Sequence, residues 1–313
     1  MTDALSRAKQ SLEGLSVGDA FGDRYFIRPE LLERFIDSRA VPDPPWRFSD
    51  DTNMALSVVE VLADRGEIDQ DALAESFARR YDMSRGYGPA MNRLFWYCRE
   101  GGSWRDLVPA LFGGQGSYGN GSAMRVAPLG AYFAGDRDKL VEQAALSSRV
   151  THTHPEAVAG AIAVATAAAY AYRLAQAGER PSRPEFLDSI LAHLSESEVR
   201  SGIRKARDMD AGASVEFAVS ELGNGTGISA QDTVPFALWC AGTHLDNYEE
   251  AIWLTLSGLG DRDTTCAIAG GIVVMYTGAE GIPAEWLDCR EPLPEISGPP
   301  KRRAPRRRSP TKR

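Results

Sequence analysis

The sequence is sparing with cysteine, with long apolar runs and with strand-like alternation, and each shortage excludes a class of protein. Its four cysteines, Cys98, Cys240, Cys266 and Cys289, lie far apart with no C-x-x-C spacing. That excludes the common zinc patterns and a small scaffold stapled by disulfides. The N-terminal stretch MTDALSRAKQSLEG lacks the basic-then-apolar layout of a secretory signal. The longest uncharged run, AVAGAIAVATAAAYAY at 157–172, is 16 residues and mostly alanine, short of the roughly 20 strongly apolar residues that span a bilayer. It reads as a buried helix, and the chain as a cytoplasmic protein with no membrane partner. No segment alternates polar and apolar residues long enough to make a convincing strand.

Helical periodicity is what fills the chain instead. Met54, Val58, Val61 and Leu62 fall on one face of a helix. Stripes of the same kind run through 71–83, 138–150, 184–194 and 248–258. Gly and Pro clusters break the pattern at VPDPPW (41–46), GGQGSYGNGS (113–122) and GNGTG (223–227). None of these is a linker by composition, and no repeat is visible. With 313 residues, 43% of them hydrophobic, the chain can bury one large core. The expected architecture is all-α, a compact single-domain multi-helix bundle over about 1–290, followed by a Pro/Arg-rich basic disordered tail at 291–313. The last thirteen residues carry eight Lys/Arg and no acid, so setting them aside from the net −8 leaves a body at −16. Such a body argues against a general nucleic-acid surface. The tail at 301–313 could hold nucleic acid or another anionic partner weakly, by sequence-independent electrostatics, or be only a solvated extension.

Two acidic stretches share one grammar. In FSDDTNMALSVVEVL (48–62), Asp50 and Asp51 stand between the hydroxyls of Ser49 and Thr52 at the start of a helix. One reading is a helix cap, since Asp, Ser and Thr accept the unpaired N–H groups of a first turn. The other is a hard-cation site built from oxygen ligands. In SGLGDRDTTCAIAGGIVVMYTG (257–278), Asp261 and Asp263 precede a small-residue helix with Thr264 and Thr265 beside them. If the fold joins the two helix starts, four carboxylates converge. Their mutual repulsion would raise their pKa values, and two divalent cations would relieve it. Gly258 and Gly260 suit a tight turn there, and Gly270 and Gly271 suit close helix packing. A third element, GGQGSYGNGSAMRVAPLGAYF (113–133), reads as a Gly-rich loop running into a helix, which presents N–H groups to an anion. Arg125 there could support a phosphate or a carboxylate. In RVTHTHPEAVAGA (149–161), His152 and His154 precede Pro155, a residue suited to a first helical turn. Either histidine could be structural or could bind a substrate hydroxyl or phosphate.

Taken together and in order, these stretches resemble the ADP-ribosylglycohydrolase family. The resemblance runs from GLSVGDAFG (14–22) through SDDTNMAL, GNGSAMRVAPLG, THTHPEAVAGA and LGNGTGISAQDTVPFALW (222–239) to GDRDTTCAIAGG, covering roughly residues 8–280. It implies a compact all-α fold, two Mg²⁺ or Mn²⁺ ions, and hydrolysis that releases ADP-ribose from a protein side chain, nucleic acid or small molecule. The implied metal ligands are Ser49, Asp50, Asp51, Asp261, Asp263 and Thr264, with Asp50 or Asp51 also taking a proton from water. The implied ADP-ribose contacts are Gly119, Asn120, Gly121, Ser122, Met124, Arg125 and His152. On this reading Asp50 and Asp51 cap their helix while also binding metal.

Two positions depart from the family pattern. Many members carry a Glu where this chain has Phe26, with Asp23 and Glu30 as nearby substitutes, and an uncharged residue where it has Arg262. Arg262 could engage a substrate phosphate or displace one metal. The Phe26 departure implies an alternative, a catalytically impaired ADP-ribose-binding module.

Overall fold

A computed structural model describes residues 3–296, apart from the side chains of residues 29 and 30. Sixteen α-helices and four short 3-10 turns make up its regular structure. Among the described residues extended pairing is limited to two isolated bridges, Trp46 with Arg290 and Gly119 with Ser229. The periodic stretches form helices at 70–80, 137–149, 183–191 and 248–257. The first stops short of residue 83. Tyr81 leaves helical backbone, its ring is buried, and its hydroxyl donates to Asn92 at 2.7 Å. Asp82 then caps a 3-10 turn at Met83–Arg85.

Five helices position the site, and they are numbered here in chain order: α1 (Ala4–Asp23), α2 (Asp50–Arg65), α3 (Pro155–Ala177), α4 (Ala230–Thr243) and α5 (Arg262–Thr277). α1 and α5 press backbone against backbone. Gly14, Gly18 and Gly22 recur every four residues along one face of α1. A Cβ at Gly18 would lie 2.2 Å from the Cys266 carbonyl oxygen, and one at Gly22 would lie 2.3 Å from that of Arg262. Only glycine fits such a seam. Polar groups then zip it: Ser11 Oγ donates to Gly271 O at 2.7 Å, and Gln10 Nε2 to Val274 O at 2.8 Å. The seam lays the acidic N-terminus of α5 beside the last turns of α1.

The alanine-rich α3 is the buried helix expected from its composition. Ala161, Ala165 and Ala168 have no exposed surface, and Gly130 lies so close that a Cβ there would meet the Ala165 carbonyl at 2.0 Å. The end of α1 is pinned by aromatics. Phe21 stacks on Trp286 at 4.2 Å between ring centroids, and Trp46 and Trp253 meet Phe21 edge-on. Packing continues past residue 290. Phe48 N donates to Glu291 Oε1 at 2.9 Å, and Leu293 and Ile296 rest on the core. The basic segment 301–313 lies outside the described residues.

The Gly-rich loop differs from its sequence reading. It does not run straight into a helix. Residues 120–122 form one 3-10 turn, and the helix that follows, Ala127–Tyr132, is only six residues long. Pro128 and the buried run 126–131 fix its start, so its N-terminus is not the cradle that the glycines suggest.

Candidate metal and ligand site

Ser49, and neither aspartate, caps α2. Its Oγ accepts from Asp51 N at 3.1 Å and donates to Asp51 Oδ2 at 2.8 Å. Asp50 and Asp51 are therefore first-turn residues, about 100° apart around the helix. That angle sends them different ways: Asp51 is buried, while Asp50 is half-buried on the wall of a cavity.

The partner of Thr52 is a residue that the sequence reading passed over. Asp19, in the interior of α1, has no exposed surface. Its Oδ2 accepts from Thr52 N at 3.0 Å, Thr52 Oγ1 at 2.5 Å and Ser49 N at 3.1 Å. Asp19 thus caps α2 from another helix, satisfying two of its orphan N–H groups at the positive end of the dipole. The available signal was an acid set between Gly18 and Gly22 in an otherwise small or apolar seam. A carboxylate buried there needs a specific partner.

α5 supplies the other acids. Asp261 is its N-cap, and Asp261 N donates to Asn224 O at 3.1 Å. Asp263 follows in the first turn and accepts from Thr264 N at 2.9 Å. Thr264 Oγ1 lies 3.4 Å from Asp51 Oδ2. The fold therefore joins the two acidic stretches, and carboxylate oxygens of Asp19, Asp51 and Asp263 all lie within 4.8 Å of one another.

Burial, then mutual repulsion, sets the electrostatics. Burial pushes Asp19 up to about 6 against the opposing hydrogen bonds from Thr52 and Ser49. Burial and then the Asp19 charge push Asp50 up to about 7. Asp51 is held well above the usual carboxylate range by burial and then by Asp19 and Asp263, and Asp263 by burial and then by Asp261 and Asp19. Asp261 is raised by burial, with the Asn120 amide working against it. Asp51 Oδ1 is buried with no hydrogen-bond partner among the described residues. Carboxylates and hydroxyls crowded around an unpaired buried oxygen fit hard divalent cations such as Mg²⁺, Mn²⁺ or Ca²⁺.

Asp50, Asp51, Asp261 and Asp263 line a cavity of about 510 Å³. Gly119, Asn120, Gly121 and Met124 of the Gly-rich loop, with His152, line it too. Exposed Phe112, Tyr118 and Ile228 reach its edge. The two glycines make room for the His152 ring, because a Cβ at Gly121 would lie 2.8 Å from its Cε1. Burial and then Arg125 push His152 down to about 3, so its ring is neutral. Its Nδ1 sits 2.6 Å from Thr151 Oγ1. Asn120 ties loop to acids, its Nδ2 donating to Asp261 Oδ2 at 2.6 Å and to Thr233 Oγ1 at 3.1 Å. His154 caps α3 by accepting from Glu156 N.

Two expected ligand contacts are not on the cavity wall. Ser122 is fully buried and donates to Ala157 O at 3.1 Å. Arg125 is fully buried too, stacked 4.6 Å over Phe77. Its Nη2 donates to Ser147 O and Thr151 Oγ1, each at 2.9 Å, and its Nη1 to Gly121 O at 3.2 Å. The guanidinium braces the loop from behind. Arg262 makes its hydrogen bonds to Gly260 O and Tyr25 O rather than to the acids that flank it, though their charges still act on it.

The chain is similar to known proteins over most of its length. A family model described as ADP-ribosylglycohydrolase matches residues 1–304. The ADP-ribosylhydrolase ARH3 of Bos taurus is 30% identical, with 92% of this chain and 89% of that one covered. Its Homo sapiens counterpart is also 30% identical, over 92% and 90%. The ADP-ribosylarginine hydrolase Tri1 of Pseudomonas putida (strain GB-1) is 27% identical, over 91% of this chain and 74% of its own. Among solved structures, an ADP-ribosylglycohydrolase-related protein complex shares the fold, with a TM-score of 0.63 at 24% identity over 93% of this chain and 94% of that one.

Proposed function

Because the chain belongs to the ADP-ribosylglycohydrolase family, we propose that it hydrolyses the bond between the anomeric carbon of ADP-ribose and an acceptor, releasing ADP-ribose with the help of two divalent cations, Mg²⁺ or Mn²⁺. The observation that carries this reading is the cluster of Asp19, Asp51 and Asp263, two of which, Asp51 and Asp263, line one cavity together with the Gly119–Gly121 loop. Ser49, Asp50, Asp51, Asp261, Asp263 and Thr264, with Asp19 added, are the oxygen donors that would hold the cations. When bound, the cations supply Lewis-acid polarisation of the ribose hydroxyls and neutralise the carboxylates.

The chain's own groups divide the remaining work. Departure of the acceptor builds positive, oxocarbenium-like charge at the anomeric carbon. Asp51 is fixed as an acceptor by the Ser49 and Thr264 hydroxyls and stabilises that charge. Asp50 faces the cavity and takes the proton of the attacking water. Gly119 and Gly121 admit the distal ribose and diphosphate beside the neutral His152 ring, which offers a hydrogen bond without a charge. Asn120 holds Asp261 in register with that loop. A second reading, a module that binds ADP-ribose without turnover, is favoured by Phe26 at the place where the family resemblance implies a Glu.

ADP-ribose release from arginine-, serine- and nucleic-acid-linked substrates and from O-acetyl-ADP-ribose, with Mg²⁺ or Mn²⁺, separates the two. The hydrolase reading expects metal-dependent release that is lost in Asp50→Ala and Asp263→Ala. Tight ADP-ribose binding with no release from any substrate would leave the binding module.

A further inference from the structure

At the end of its last helix, Ala284–Cys289, the chain comes to lie along the segment that leads into α2. Trp46 N donates to Cys289 O at 2.7 Å, and Glu291 N to Trp46 O at 2.9 Å, which pairs Trp46 with Arg290 in a parallel bridge. Arg290 ties the same strap to α1, its Nη2 donating to Glu13 Oε2 at 2.6 Å. The strap thereby delivers Glu291 to Phe48, the residue before the Ser49 cap. Glu291 lies beyond the stretches that carry the family resemblance.

There Glu291 closes a clamp with three corners. Its Oε1 accepts from Phe48 N at 2.9 Å and from Arg85 Nη1. Arg85 Nη1 also donates to Phe48 O at 2.7 Å, and its guanidinium lies 4.0 Å over the Phe48 ring. Phe48 is thus held at its N–H, its carbonyl and its ring. The Arg85 and Glu291 side chains are only 15% and 23% exposed, so salt screens this pair less than a surface one. A further contact between the two segments, Arg47 Nη2 to Ser84 Oγ at 3.2 Å, is exposed.

Both clamped segments run straight into the cavity wall. Phe48 leads to Ser49, Asp50 and Asp51. Arg85 leads to Gly86, which lines the cavity with 88–91, and a Cβ at Gly86 would lie 3.6 Å from Asp50 Oδ1. The hydrogen bond that acts on the Asp50 carboxylate comes from its own backbone. Its place therefore follows from where α2 starts and from the Gly86 wall that it faces. Resting on the hydrolase reading, we propose that Glu291 is a positioning residue. By clamping Phe48 to Arg85 it sets the gap between the Asp50 carboxylate and the 86–91 wall, where the attacking water gives up its proton. A misplacement of about 1 Å in such a group costs up to about a hundredfold in rate.

The test measures kcat and KM on whichever of the four substrates above wild type releases fastest. It uses wild type, Glu291→Ala, Glu291→Gln, Arg85→Ala and the double variant Glu291→Ala/Arg85→Ala. Amide hydrogen exchange in peptides covering 46–51 and 84–91 gives a readout that needs neither metal nor substrate. In Glu291→Ala, kcat is expected to fall roughly tenfold with KM within about twofold, because the Gly119–Gly121 loop and His152 are untouched. Arg85→Ala should match it and the double variant should be no worse, since all three break one clamp. Glu291→Gln keeps an acceptor for Phe48 N and should retain most of the wild-type kcat. Exchange should rise in both segments of Glu291→Ala. An unchanged kcat, losses that multiply in the double variant, or faster exchange in 46–51 alone overturns the proposal. Release of no substrate by wild type defeats the hydrolase reading, and exchange in the two segments still decides whether Glu291 holds them together.

Discussion

Asp51→Asn should make the metal-free protein more stable while destroying the site. Asp51 is 1% exposed, and its carboxylate shares a 4.8 Å cluster with Asp19 and Asp263. At that separation a like-charged pair costs about 3.5 kcal/mol at an effective dielectric of ~20. Partial protonation caps the cost, leaving a gain of about 2 kcal/mol on removing the charge. An asparagine oxygen can keep the Ser49 and Thr264 hydroxyls at the position of Oδ2. Its amide nitrogen then occupies the place of the unpaired Oδ1 and can donate to a neighbouring carboxylate.

The pH dependence carries the sign. The folded-state pKa of Asp51 is raised well above its ordinary value of 3.8, by burial first and by Asp19 and Asp263 next. Below that ordinary value the residue is protonated whether folded or not, and the variant gains nothing. As pH rises toward the folded-state value the wild type binds more protons folded than unfolded and loses stability. With EDTA the variant should therefore melt roughly 4 °C higher at pH 8 and equally at pH 4. Added Mg²⁺ or Mn²⁺ should reverse the order, since a ligand of the native state alone stabilises the form that binds it better. Differential scanning calorimetry at both pH values, with and without metal, measures all four cases. A variant less stable than wild type at pH 8 in EDTA would refute the charge-crowding argument.

Gly18→Ala should cost about 3 kcal/mol or more, because its Cβ would meet the Cys266 carbonyl at 2.2 Å and α1 and α5 would have to part. Gly135→Ala, with nothing within 4 Å of the added Cβ, should change stability by no more than about 0.5 kcal/mol; urea denaturation compares the pair. Arg125→Ala should lower stability by about 3 kcal/mol through the unpaired Ser147 carbonyl and the space left over Phe77. Its ADP-ribose affinity, measured by calorimetry in the cold, should change only a few-fold, and a hundredfold loss would put the guanidinium on the ligand.

Local signals made much of this chain readable. The helices at 137–149 and 248–257 follow their apolar stripes closely, because each buries one continuous face. Both acidic pairs announced themselves, since two carboxylates and a hydroxyl within four residues strain any purely structural explanation. Capping was misassigned between neighbours, because Ser49 and Asp50 have nearly equal capping preferences and only the backbone turn at Ser49 distinguishes them. The burial of Arg125 was illegible for a different reason. A cation beside a glycine-rich loop suggests phosphate, and nothing local reports that it is buried over Phe77. Asp19 was missed because its role is made by the fold, with partners thirty and more residues away.

That dependence also bears on how many cations the site needs. Asp19, Asp50 and Asp51 gather at the N-terminus of α2, and Asp261 and Asp263 at that of α5. Each helix end offers the equivalent of about half a positive charge, so the two together offset about one of five carboxylates. The cationic side chains around them act on the acids through charge but form no ion pair with them. Arg125 is braced behind the loop and Arg262 is turned onto Phe26. With all five acids ionised about four negative charges would remain, a charge that the proposed pair of divalent cations would neutralise and a single one would not. If two cations bind as proposed, the glycine seam that places Asp19 in this cluster adds to the charge they meet, and Asp19→Asn should weaken the binding of one equivalent of Mn²⁺ more than the other in a calorimetric titration.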